Sequence, residues 1–186
     1  MDHEKFQNHY RIPSARAPWH AYDDGAYFVT ICTAHREHYF GEISNGKMQL
    51  TAIGKFVANN LQTISTHCPY AEIPSFVIMP NHLHAIVFID GNKIPSIAGR
   101  DAACHVSTIP TENDITGKNT KMREIANQSG WLSVCIGGIK SAVTKYAHQN
   151  NIDFEWQTRF HDHIIRDFIE MSRIAQYIEN NVAQWE

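Results

Sequence analysis

Phe76-Val77-Ile78-Met79-Pro80-Asn81-His82-Leu83-His84-Ala85-Ile86-Val87-Phe88-Ile89 is the stretch on which the reading of this chain turns. Branched and large apolar residues dominate both sides of Pro80, which predicts strand over 76–79 and again over 82–89. Proline has no N–H to give a central ladder, so a bend or bulge is expected at Pro80-Asn81. Side chains alternate along a strand. His82 and His84 therefore share one face, continued inward by Ile86 and Phe88. Leu83, Ala85, Val87 and Ile89 cover the other. Two adjacent imidazoles in an otherwise apolar strand are costly unless they bond to something. A metal ion is a natural partner, because neutral imidazole is a common ligand. An isolated H-x-H is a weak signal and more often reads as satisfied or edge-exposed histidines.

Working outward, residues 1–24 look irregular, and 26–33 (Ala26-Tyr27-Phe28-Val29-Thr30-Ile31-Cys32-Thr33) read as a strand. Segments 38–43 and 47–50 flank Ser44-Asn45-Gly46, a hairpin signal. Thr51 can cap a helix running to about 66, with Ile53, Phe56, Val57, Leu61 and Ile64 at helical spacing. Residues 90–128 are polar and lack periodicity, which predicts a long, partly mobile connection. A helix is expected over 131–149 despite Gly137-Gly138, and a short strand over 154–157. A final helix over 170–182 carries Met171, Ile174, Ile178 and Val182 as its apolar stripe. This order predicts one α+β domain over 1–186, with helices packed on a mainly antiparallel sheet.

Two histidines do not complete a metal site. Tyr177 and Asn181 lie four apart on one face of the final helix and offer further oxygen donors. Read alone, Tyr177 is more readily a core or edge tyrosine, and Asn181 a residue at a fraying helix end.

Composition narrows the function classes. The 186 residues are 43% apolar and 19% charged, as in soluble globular proteins, and no apolar run reaches the roughly 20 residues a membrane helix needs. No membrane association is expected. The four cysteines form no C-x-x-C pair, which points to a reduced, cytoplasmic protein. A net charge of −3 argues against coating long duplex DNA. Charge is uneven, however: Lys118, Lys121, Arg123, Lys140 and Lys145 face one acid, Glu124, between 118 and 148.

The central stretch, with its Met-Pro-Asn-His-x-His, resembles the signature strand of the single-tyrosine HUH (IS200-like) transposases, in the REP-associated tyrosine transposase branch. The likeness extends outward. Tyr27 to Thr33 with Arg36 and Phe40-Gly41 is similar to the first strand and its sequel. Lys47-Met48, Leu50-Thr51 and Gly54 resemble the next block, and Ile139-Lys140-Ser141 with Val143-Thr144 a later helix. Trp156-Gln157, Phe160, Asp162, Ile164-Ile165-Arg166, Ile174, Tyr177-Ile178 and Asn180-Asn181 resemble the C-terminal block. Asn181-Val182 stands where the family commonly has Asn-Pro, so the final helix is free to run on. The 90–128 connection has no counterpart.

The resemblance implies a ferredoxin-like, HUH-endonuclease sandwich that nicks and rejoins hairpin or palindromic single-stranded DNA through a 5′-phosphotyrosine bond. It implies Tyr177 as nucleophile and His82, His84 and Asn181 as ligands of Mg²⁺ or Mn²⁺. On softness alone, imidazoles suit zinc or nickel as well. A phenol is protonated at neutral pH, so a metal or a nearby base must help it ionise. Lys140, Lys145, Arg159 and Arg166 are candidate phosphate contacts. Each reads equally as a solvated or ion-paired residue, Arg166 with Asp162 or Asp167. Trp131, Tyr146 and Trp156 are candidate base-stacking rings or core residues. A homodimer is implied. The alternative is a domesticated relative that binds hairpin DNA without cutting it.

Overall fold

The computed structural model describes residues 20–94 and 130–185 in full. It also gives the backbone of β1 (Lys5–Phe6), β2 (His9–Tyr10) and the helical residues 118–129. Within these bounds the architecture is α+β. Strands β3 (Gly25–Cys32), β6 (Ala71–Met79), β7 (His82–Ile89) and β8 (His161–Ile165) form one antiparallel sheet in the order β6-β7-β3-β8. β4 (Gly41–Ser44) and β5 (Lys47–Leu50) make a separate hairpin. Its two turn residues, Asn45 (φ 54) and Gly46 (φ 69), both take the left-handed conformation that a type I′ turn requires.

Helices pack on both faces of the sheet. On one lie α1 (Ala52–Gln62), α2 (Ile64–His67) and α3 (Lys118–Gln149), which is kinked at Gly130. Thr51 Oγ1 accepts the Gly54 N–H at 3.1 Å, the expected cap, worth about 1 kcal/mol. Ile53, Val57, Leu61, Leu132, Ile136, Ile139 and Val143 bury against Tyr27, Val29, Ile31, Leu83, Ala85 and Val87. On the opposite face lies α4 (Phe168–Asn180), capped by the Asp167 side chain. Its buried Ile178, with Met171, Ile174 and Ala175, packs on Ile86, Ile165, Phe28 and Phe88. β7 is thus covered on both sides, which is why its sequence is so continuously apolar.

Four expectations need correcting. Pro80-Asn81 is the turn of a tight hairpin, with Met79 paired to His82, and no bend within a strand. Proline is preset for the second position of such a turn and owes the ladder no N–H there. The bulge lies further back, between Glu72 and Ser75, around Pro74, and β6 begins at Ala71, five residues earlier than read. Residues 154–157 contribute only a bridge from Trp156 to Thr33, while the fourth strand is β8, which went unread. Its His-Asp-His-Ile-Ile is polar because it is an outer strand with its first residues exposed. Finally, the connection read as 90–128 is helical from Lys118 onward, and 95–117 lie outside the described residues.

Candidate functional site

The β6–β7 hairpin delivers the histidine pair to one end of the sheet. Register sets what surrounds it, because residues paired across antiparallel strands point to the same face. His84 pairs with Thr30 on β3 and Val77 on β6; His82 pairs with Cys32 and Met79. Thr30 pairs in turn with His161 on β8. This face is the one covered by α4, and it brings Tyr177 to the histidines from 93 residues away in sequence. Tyr177 Oη lies 3.3 Å from His84 Nε2, with the rings 5.4 Å apart. The tyrosine is 44% exposed, so the residue is reachable from solvent. Phe28 stacks beneath His84 at 5.2 Å and meets the Tyr177 ring edge-on at 6.1 Å.

Both imidazoles are held by their Nδ1 atoms. Asn81 Oδ1 accepts from His82 Nδ1 at 2.7 Å, and Asn81 Nδ2 donates to the Arg36 carbonyl at 3.3 Å. His84 Nδ1 is 2.8 Å from Thr30 Oγ1. The hairpin turn is itself fastened: the Asn81 carbonyl accepts from the Thr33 amide (2.9 Å) and hydroxyl (2.9 Å), and the Pro80 carbonyl from the Phe40 amide (3.0 Å). Burial pushes the His84 pKa down to about 4, helped by neighbouring His82. Burial, then the Arg36 charge, also lowers that of His82. Both shifts favour the neutral rings, and Nδ1–H donation to Asn81 leaves the His82 Nε2 unprotonated, the form a metal needs.

The donor set fits a divalent cation in part. Two imidazoles anchored by Asn81 and Thr30, with their rings 4.7 Å apart, are a sound pair of ligands. Among the described residues, no group of three or more His, Cys, Asp and Glu is arranged to hold a metal ion. A third protein ligand would have to be another oxygen, from Asn181 or Tyr177. Asn181 is buried just past the end of α4, and its side chain makes no hydrogen bond to either histidine.

The basic candidates scatter. Lys140 Nζ donates to the carbonyls of Gln157 (2.7 Å) and Arg159 (3.1 Å) and lies 5.6 Å from the centre of the Trp156 ring. Burial lowers its pKa. These contacts give it a structural duty in pinning the 157–159 loop. Lys145 is exposed on α3, on the sheet face away from the histidines. Arg159 is exposed just before His161, at the histidine end of β8. Arg166 follows the far end of that strand, where its backbone amide donates to Glu170 Oε2 at 2.9 Å and its charge helps lower the Glu170 pKa. Trp131 and Trp156 are core residues, and Tyr146 stacks on Phe56 at 4.1 Å.

Sequence reasoning gave no role to Thr30, Phe28, Arg36, Asn81 or Trp185. Asn81 stood inside the quoted motif, directly before His82. Phe28, Thr30 and Arg36 stood in the first quoted block, but their places at the site come from strand register and the Asn81 bond, and that of Trp185 from the return of the chain after α4.

An antiparallel sheet with helices on both faces, a histidine pair on a central strand and a tyrosine facing it from the last helix define the class. The fold is that of a solved REP-associated tyrosine transposase bound to a REP hairpin: TM-score 0.50, 17% identity, covering 92% of this chain and 79% of that one. No protein-family profile matches the chain. It is 34% identical over 164 residues to an uncharacterized protein of Haemophilus influenzae (strain ATCC 51907 / DSM 11121 / KW20 / Rd), covering 88% of this chain and 83% of that protein. The chain belongs to that protein's family.

Proposed function

We propose that this protein is a metal-dependent tyrosine endonuclease and strand transferase acting on hairpin-forming single-stranded DNA. The observation that carries the reading is the 3.3 Å approach of Tyr177 Oη to His84 Nε2, made across the whole fold. Tyr177 is the nucleophile. Its oxygen forms a bond to a backbone phosphorus as the bond from that phosphorus to the 3′-oxygen breaks. The phenol gives up one proton and the leaving 3′-oxygen takes one up, so the exchange is balanced. The covalent 5′-phosphotyrosine conserves the phosphoester, and rejoining needs no ATP.

His82 and His84 would hold Mg²⁺ or Mn²⁺ through their Nε2 atoms, with Asn181 as the candidate third protein ligand. The cation would supply charge neutralisation at the scissile phosphate and favour ionisation of the phenol. Asn81 and Thr30 hold the two rings in the orientation this requires. Phe28 keeps water from the back of His84.

Among the described residues no helix is long and apolar enough to cross a membrane. The homodimer implied by the resemblance has a candidate surface. β8 is an outer strand, and Phe168 and Ile169 beside it are 75% and 64% exposed. Sedimentation of wild type against Phe168→Asp tests it.

The deciding experiment incubates the protein and Mn²⁺ with a panel of single-stranded hairpin oligonucleotides that carry unpaired flanks. A protein–DNA adduct stable in denaturing gels is expected, and it should vanish in Tyr177→Phe. An adduct that survives this change removes Tyr177 from the chemistry. Hairpin binding with no adduct under any metal would favour a DNA-holding relative without cleavage.

A further inference from the structure

The segment after α4 returns to the site. After α4 a 3₁₀ turn, Val182–Gln184, carries Trp185 back to the histidine end of the sheet. The Trp185 ring lies 5.9 Å from the His82 ring at an angle of 35°, and 6.0 Å from the His38 ring, edge-on at 65°. Trp185 is partly exposed and belongs to neither apolar cluster of the core. A large flat ring left partly in solvent beside two imidazoles is a surface for another ring.

Arg36 is tied to the same histidine, because Asn81 bonds both its carbonyl and His82 Nδ1. It is exposed, and its guanidinium makes no hydrogen bond or ion pair among the described residues. Its charge is felt at His82. Its backbone is held in an unusual shape. His35 (φ 52) and Arg36 (φ 59) are consecutive non-glycine residues in the left-handed region, each costing about 1–2 kcal/mol. The strain is sustained by specific bonds. Thr33 Oγ1 donates to the Glu37 carbonyl at 2.8 Å, and Asn81 ties the Arg36 carbonyl to His82. Such strain persists only where the surroundings over-determine it, and it clusters at functional sites.

Resting on the strand-cleavage reading above, we infer that Trp185 and Arg36 form a subsite for one unpaired nucleotide next to the scissile phosphate. Trp185 stacks on its base, and Arg36 takes a backbone phosphate of the same strand. An aromatic face accepts any base, and a guanidinium fork matches phosphate oxygens without reading sequence. The subsite therefore selects for single-strandedness at this position. A base still paired in a stem cannot present its face to Trp185.

The test measures binding of a fluorescent oligothymidylate by anisotropy, in a Tyr177→Phe background that blocks cleavage. A single abasic residue is walked along the oligonucleotide. Trp185→Ala should weaken binding about 5- to 150-fold, the range for losing one stacked base, and Trp185→Phe should retain most of it. One abasic position should cost as much against the intact protein and nothing further against Trp185→Ala. Arg36→Ala should lower the slope of log affinity on log salt by about 0.7, one single-strand phosphate contact. Equal or tighter binding by Trp185→Ala, or additive losses with every abasic position, overturns the subsite. So does an unchanged salt slope in Arg36→Ala. Adduct formation by the wild-type chain is scored separately. An adduct with indifferent Trp185 and Arg36 variants sinks only this inference, and dependence on both without an adduct sinks only cleavage. Absence of any oligonucleotide binding overturns both.

Discussion

Thr30→Val isolates the support of the candidate metal site from its ligands. Valine nearly matches threonine in shape but replaces Oγ1, which lies 2.8 Å from His84 Nδ1, with a methyl group. His84 is only 7% exposed, so water cannot fully substitute for the lost partner. Leaving a buried polar group unsatisfied costs about 1–3 kcal/mol. The same bond fixes which nitrogen faces the site. Removing such an outer partner typically costs 10–100-fold in metal affinity, or about 1.4–2.8 kcal/mol. Isothermal titration of the metal-free protein with Mn²⁺ reads the affinity, and urea unfolding reads the stability. Thr30→Val should bind Mn²⁺ about 10–100-fold more weakly, while Thr30→Ser, which keeps the hydroxyl, should bind much as wild type does. A folded Thr30→Val protein with undiminished Mn²⁺ affinity would refute the reasoning.

Three further outcomes follow from the geometry. The His84 pKa is held at about 4, below the ordinary 6.5, so on acidification the unfolded chain takes up a proton the folded one refuses. Metal-free stability should therefore fall as pH drops from about 6.5 towards 4, by about 1.4 kcal/mol per pH unit from this residue. The slope should flatten in His84→Gln, and an identical slope in that variant would count against the buried neutral ring. Ile178→Ala removes the deepest anchor of α4, 2% exposed, and should cost about 2–5 kcal/mol. Hydrogen exchange should then show α4 opening ahead of α1 and β7, with adduct yield falling in step. Gly54→Ala should destabilise although alanine is the better helix former by about 1 kcal/mol. A Cβ there would meet the Phe40 carbonyl oxygen at 2.1 Å, on the backbone of a neighbouring segment, and thermal melting reads the result.

Local rules made much of this protein legible from residues alone. Alternation in β7 placed His82 and His84 together on one face and Leu83, Ala85 and Val87 on the other. Thr51 announced α1, Asn45-Gly46 announced the hairpin, and the four-residue spacing of Tyr177 and Asn181 put both on one side of α4. These depend on neighbours within a turn or two, so the order of residue types suffices. The family motif supplied the pairing of tyrosine with histidines before any distance was known.

Other features were settled only in three dimensions. β8 was hidden because an outer strand need not bury its histidines, so its composition carries no strand signal. Lys140 reads as a free cation until the fold brings two carbonyls to its ammonium. Thr30 is an unremarkable strand threonine until β3 and β7 pair in one register rather than the next, since a slip of one residue would turn its hydroxyl away from His84. Trp185 lies 103 residues beyond His82 in the chain. It reaches that ring only because α4 crosses the sheet and its 3₁₀ turn doubles back. The sequence by itself determined which residues share a face. The tertiary structure decided which faces meet, because strand register and helix docking depend on the whole core.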